Sequence, residues 1–230
     1  MIRRPGPKTN GSRLPPKSPE TTEVFNVPPI EVGKIVLKVR GDESLVVHNW
    51  SAKAKRQMLD KQCKRAKTAK EAKDPFADFL GSLYIINASK VPKTKLTTWE
   101  WWPYVPETFG FKAIAFKNAI VSACGFVDGV TKTLTNGAIR VPGGLLPIKY
   151  EKLIMREDMV KIGNFPKQTA DLRYRGEFTK WSMDLPITFM RNVVNVEQIV
   201  NLLNHAGFAV GIGEHRPERE GSFGTFTVEA

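Results

Sequence analysis

Residues 207–230 read GFAVGIGEHRPEREGSFGTFTVEA, with Gly207, Gly211, Gly213, Gly221 and Gly224 set around Arg216 and Arg219. Just upstream, residues 196–205 (VEQIVNLLNH) repeat apolar side chains at helical spacing, with Asn195 placed to cap the first turn and Gly207 to close the last. Residues 223–228 then read as a final strand, so the order is helix, glycine-rich basic loop, strand. Glycines at this spacing permit positive φ and close approach of two backbones, while arginine supplies a forked donor for phosphate. The loop does not follow the nucleotide-cofactor patterns, because it has no Gly-Lys-Ser/Thr and leads into a strand instead of opening a helix. No cofactor is expected. The competing use of the same glycines is to form turns in a plain hairpin.

Upstream, the stretch 181–190 (WSMDLPITFM) alternates Met183, Leu185, Ile187 and Phe189 as a strand, and residues 30–40 (IEVGKIVLKVR) read as a half-buried one. Val46–His48 extends that strand or pairs with it across a Gly41-Asp42 turn. Residues 111–124 (FKAIAFKNAIVSAC) place Ile114, Phe116, Ala119, Ile120 and Ala123 on one helical face. Residues 79–86 (FLGSLYII) suggest a buried strand, and 137–141 with 145–148 suggest a hairpin around Pro142-Gly143-Gly144. The composition is that of an α+β chain, with residues 24–230 as one domain carrying an insertion at about 50–110.

Charge sets the class of partner. Against 23 acidic residues the chain carries 35 lysines and arginines, a formal charge of +12, which favours a polyanion over neutral ligands, although solubility or an anionic membrane surface would also use it. Residues 1–23 hold five prolines and five basic residues with few large apolar ones, the composition of a flexible basic arm. Residues 50–73 (WSAKAKRQMLDKQCKRAKTAKEAK) have high helix propensity, Ser51 as a plausible cap, and nine Lys or Arg against Asp60 and Glu71. Such a helix buries little, so it is either a solvated surface helix or a phosphate-binding one. Lys90, Lys93 and Lys95 stand beside Trp99, Trp101, Trp102 and Tyr104, and lysines among aromatics suit a single strand, whose phosphates meet cations while its bases stack on rings. Core packing is the other use of those tryptophans. The expected nucleic-acid-binding set is Lys53, Lys55, Arg56, Lys61, Lys64 and Arg65, then Arg173, Arg175, Arg216 and Arg219, with Gly211, Gly213 and His215 in the loop and Trp101 or Trp102 stacking a base.

Cys63 and Cys124 are too few for a disulfide framework or a metal cluster and are read as free thiols. No apolar run approaches the roughly 20 residues of a membrane span and no secretion signal is evident, so a cytoplasmic protein without membrane contact is expected. Of the histidines, His48 follows a strand, His205 ends a helix, and His215, between Glu214 and Arg216, is the candidate general acid or base. The pairs Asp42-Glu43 and Glu157-Asp158 point to opposite faces if they lie on strands and make no two-metal site alone. Neither catalytic residues nor a metal are therefore assigned.

The succession of an opening strand, a lysine-rich insertion, a core helix after residues 109–120 (FGFKAIAFKNAI) and a terminal helix leading into Gly-Ile-Gly…Arg…Gly-Ser-Phe-Gly-Thr-Phe resembles the RAMP superfamily. That resemblance implies a ferredoxin-like, RRM-related antiparallel sheet, a glycine-rich loop near bound RNA, and copies lined up on one strand, as in CRISPR backbone subunits. Glu214, Glu218 and Glu220 inside the loop depart from it, as does a long 125–190 middle. Residues 50–55 (WSAKAK), 170–175 (ADLRYR) and 211–219 (GIGEHRPER) are similar to stretches of tailed-bacteriophage early proteins, which implies a host cytoplasm. The expected function is non-catalytic coating of single-stranded nucleic acid, DNA before RNA, in phage replication or recombination. The alternatives are inhibition of a host defence complex by binding one of its proteins, and a metal-independent endoribonuclease using His215.

Overall fold

The computed structural model describes residues 27–65, 72–164 and 166–229. The expected arm at 1–23 and the 66–71 part of the lysine-rich stretch lie outside them. In chain order the elements are β1 (Val32–Gly41), β2 (Leu45–Val47), α1 (Ala52–Gln62), α2 (Pro75–Ser82), β3 (Trp101–Pro103), β4 (Gly110–Lys112) and α3 (Ala113–Ala123). There follow α4 (Lys132–Ala138), β5 (Ile139–Arg140), β6 (Leu145–Pro147), β7 (Lys152–Ile162), β8 (Thr169–Phe178), β9 (Ser182–Met190), α5 (Val196–His205) and β10 (Phe226–Val228). The protein is mixed α+β, and among the described residues all strand pairings are antiparallel.

The first sheet has the order β10-β1-β9-β5. Its centre is the β1–β9 pair, in register from Val32 opposite Met190 to Arg40 opposite Ser182. Period-two alternation sends Met183, Leu185, Ile187 and Phe189 inward, while Lys34, Val36, Lys38 and Arg40 face out. α3 lies over the inner face with Phe116, Ala119, Ile120 and Ala123 buried, and the Phe116 ring meets Phe226 of β10 at 5.3 Å. Ile114, read as part of that face, is exposed instead. The second sheet has the order β2-β8-β7-β3; its inner face joins Leu153, Met155 and Phe178 to Phe79 of α2, and its buried residues are continuous with those under the first sheet. Glu31–Ala230 form one compact unit.

Four local expectations are corrected. Val46–Val47 pair with β8, not β1. Residues 79–82 are the end of α2, because the Asp74 carboxylate accepts the N–H groups of Phe76 and Ala77 at 3.0 and 3.1 Å and Pro75 occupies the first turn, a combination that starts a helix. Gly137 and Ala138 belong to α4, and the two flanking strands join different partners, β5 with β9 and β6 with β4, so they form no hairpin. Gly207 does not end α5 with a reversal. The chain continues in a wider turn through Val210, and Gly207 is needed because a Cβ there would lie 1.7 Å from the Phe226 carbonyl oxygen. Residues 152–162 and 169–178, unread as structure in the sequence, pair as the long strands β7 and β8.

Candidate nucleic-acid interface

β2 covers only Gly176–Phe178 of β8, so the β8 edge from Asp171 to Arg175 has no strand beside it there among the described residues. The chain leaves β2 through His48 and Trp50 and enters α1, which leaves a groove of about 790 Å³ between α1 and the β8 edge. His48, Trp50, Lys53, Arg173, Tyr174 and Glu214 line it. Trp50 is 54% exposed. Lys73 closes one side, bonded to the Asp171 carboxylate at 2.9 Å and to the Leu172 carbonyl.

α1 carries Lys53, Lys55, Arg56 and Lys61, with Lys64 and Arg65 just beyond its end. Apart from Asp60, its described side chains are exposed, Met58 and Leu59 included. Arg65 pairs with Asp60 at 3.1 Å. Packing therefore contributes little to this helix, and a helix of this length is marginal on propensity alone.

Behind the groove lies a network of charges on the outer face of the second sheet. Arg156 and Arg175 are cross-strand partners in β7 and β8. Asp158 accepts from Arg156 Nε at 2.7 Å and from Arg175 Nη1 at 3.0 Å, and Glu177 accepts from Arg156 Nη1 at 3.0 Å. Burial alone would raise the Asp158 carboxyl, but the two guanidinium groups outweigh it and hold the acid below its ordinary value. Arg175, expected to contact phosphate, is only 3% exposed and is committed inward: its Nη1 also donates to His215 Nε2 at 2.9 Å. It positions the loop instead of facing solvent.

The glycine-rich loop is built against β2. Glu214 N–H donates to the Val46 carbonyl at 2.8 Å, and Gly224 N–H to that of Ser44 at 2.8 Å. Gly213 has φ +81°, and a Cβ there would lie 2.5 Å from the Val46 oxygen, while Gly211 (φ +66°) packs against Pro217. Both glycines are explained by these approaches. Arg216 grips the Glu218 carboxylate at 3.1 and 2.7 Å and the Gly213 carbonyl at 2.9 Å, stapling the loop. Arg219 is exposed, and Arg173 is half-buried at the groove.

Of the two adjacent tryptophans, Trp101 is exposed with Lys152 Nζ 4.7 Å above its ring. Trp102 is 3% exposed, bonded through Nε1 to the Thr94 carbonyl at 3.0 Å, and stacked on Phe109 at 6.3 Å. It offers no face to a base, which corrects that assignment. Neighbours on a strand point to opposite sides, so the sequence allowed one of the pair, not both.

The structure adds His48 and Trp50, which sequence reasoning passed over; their signal was adjacency to the cationic helix. Burial and the nearby Arg175 charge hold the His48 imidazole below its ordinary 6.5, and its buried Nδ1 has no partner. His48 and Glu214 also line a smaller cavity of about 330 Å³ between α3 and the loop, so these two residues border both hollows. Another cavity, of about 800 Å³ between α4 and α5, is lined mainly by apolar side chains, with Asp128, Gln198 and His205 among the polar ones. Among the described residues no group of three or more His, Cys, Asp or Glu could hold a metal, and Cys63 and Cys124 are free. No helix of the described residues is long and apolar enough to cross a membrane.

No protein-family model matches the chain, and no curated protein was found to be similar to it.

Proposed function

We propose that this chain binds the backbone of single-stranded nucleic acid, DNA in preference to RNA, and leaves it chemically intact, several copies coating one strand in phage replication or recombination. The observation that carries the reading is α1: a cationic helix exposed almost all round, set beside a groove that also holds Arg173 and the exposed ring of Trp50. Its positive charges repel one another, and a polyanion seated along them relieves that repulsion and releases counterions. An open groove with one exposed indole suits a flexible strand whose bases turn toward rings.

The first sheet supports a ferredoxin-like reading of the core. Its order β10-β1-β9-β5, with α3 between β1 and β5 and α5 between β9 and β10, has the βαββαβ succession in which two split βαβ units interlock. In this reading the second sheet and α1 are insertions that carry the binding surface.

The test is fluorescence anisotropy with labelled single-stranded DNA, single-stranded RNA and duplex at several salt concentrations, with the oligonucleotides run on a denaturing gel afterwards. Neutralisation of five or six phosphates predicts a slope of log K against log salt of about −4 on a single strand, weaker duplex binding and an intact oligonucleotide. Binding no tighter than about 10⁻⁴ M at physiological salt would sink the reading.

A further inference from the structure

A second row of rings lies on the outer face of the second sheet, away from α2. The register sets Trp101 opposite Ile154, and Ile154 opposite Glu177, so these share one face with Arg156 and Arg175, while Trp102 and Leu153 turn into the core. Trp99, passed over as a site residue, joins this face: the Arg156 guanidinium lies 6.0 Å from its ring centre and 4.6 Å from that of Phe223. Trp99 is 57% exposed and Trp101 is 47% exposed.

Two features mark the rings as prepared rather than loosely placed. Arg156 is locked by Asp158 and Glu177, so the cation behind Trp99 and Phe223 has a fixed position. Trp99 itself sits at φ +72°, an uncommon conformation for an aromatic residue. It is held there because its N–H donates to the Met155 carbonyl at 2.7 Å, the Glu100 carbonyl accepts from Met155 N–H at 2.9 Å, and the Glu100 carboxylate accepts the Thr97 N–H at 2.7 Å. Lys152 backs Trp101 in the same way at 4.7 Å.

Charge selects the occupant. The acids of this face, Asp158 and Glu177, are each engaged by arginine, whereas Lys93 and Lys95 are exposed in the connection leading to β3 and Lys152 stands beside Trp101. Two half-exposed indoles bordered by lysines, with Asp158 and Glu177 matched by arginine and the Glu100 carboxylate turned to the Thr97 N–H, suit a partner that presents flat π-faces on a polyanionic chain. We propose that Trp99 and Trp101 stack unpaired bases of a bound single strand, a base-contacting footprint separate from the phosphate-contacting groove at α1. The proposal rests on the single-strand reading above.

The experiment compares two 20-mers, oligo-dT and an oligomer of abasic deoxyribose phosphates, against the full chain and its variants. The Trp99→Ala/Trp101→Ala double variant is expected to bind oligo-dT at least about tenfold more weakly and the abasic oligomer unchanged, while Trp99→Phe/Trp101→Phe, which keeps the rings, recovers most of the loss. Tryptophan fluorescence of a Trp50→Ala chain should be quenched by oligo-dT and lose most of that quenching when Trp99 and Trp101 are also replaced. Unchanged oligo-dT affinity in the double variant, or equal loss on the abasic oligomer, overturns the stacking proposal and leaves groove binding standing. Failure of the unaltered chain to bind either oligomer overturns both.

Discussion

Asp158 holds two arginines at once, with Arg156 Nε at 2.7 Å and Arg175 Nη1 at 3.0 Å. Removing its charge would leave the buried Arg175 with only the more distant Glu214 carboxylate, 3.7 Å away, as counter-ion, so Asp158→Asn is expected to cost about 3 kcal/mol at pH 7, measured by urea unfolding. The folded-state acid titrates below its ordinary 3.8, so its contribution is fully present above that pH and fades as pH falls through the lower folded value. The gap between native and variant chains should therefore narrow at pH 3. A gap that persists there would mean the loss comes from packing and not from charge. This residue was visible in the sequence only as half of an acidic pair, Glu157-Asp158. Strand alternation explains why one of the two faces Arg175, but naming the arginine required the β7–β8 register, which matches Asp158 with Arg173 and places Arg175 diagonally within reach.

Helix α1 shows how far composition reaches at the scale of an element. Its lysines, its start after Ser51 and its thin apolar stripe are all legible in the residues, and the structure agrees in leaving it exposed. Lys55, Arg56, Lys61 and Lys64 replaced together by Gln should change folding stability by less than about 0.5 kcal/mol each, since they are exposed surface positions. The same variant should reduce the salt slope of single-strand binding by about 3, because each neutralised phosphate contributes about 0.7. An unchanged slope would remove α1 from the interface. α2 teaches the opposite lesson. Residues 79–86 are apolar enough for a strand or a buried helix, and periodicity over so short a run does not separate them. The Asp74-Pro75 pair was the available signal, and it outweighs the β-propensity of the residues that follow.

At the scale of the whole molecule, the chain crosses between the two sheets four times, twice without another strand or helix in between. β1 turns directly into β2, and β8 runs through Thr179–Trp181 into β9, while Trp181 Nε1 donates to the Glu43 carbonyl at 2.8 Å across that junction. The buried side chains of both sheets form one continuous cluster. Glu31–Ala230 should accordingly unfold in a single transition, with near-ultraviolet and far-ultraviolet circular dichroism giving the same midpoint in a denaturant titration. Two separated midpoints would show that the inserted sheet melts by itself.

The residues alone determined the elements whose periodicity is long and whose caps are local: β1, β9, α3 and α5, the last with Asn195 and Gln198 capping one another. They also determined the cationic character of α1 and the free state of both cysteines. Tertiary structure decided which strand each short segment joins, since three-residue strands such as β2 and β6 carry too little pattern to specify a partner. It also decided which members of each candidate set reach solvent. Trp101 and Trp102 are alike in composition, and only the pairing of β3 with β7 turns one outward and buries the other, whereas Arg173 and Arg175 share one face of β8 and differ because His215 and Asp158 close over Arg175 alone.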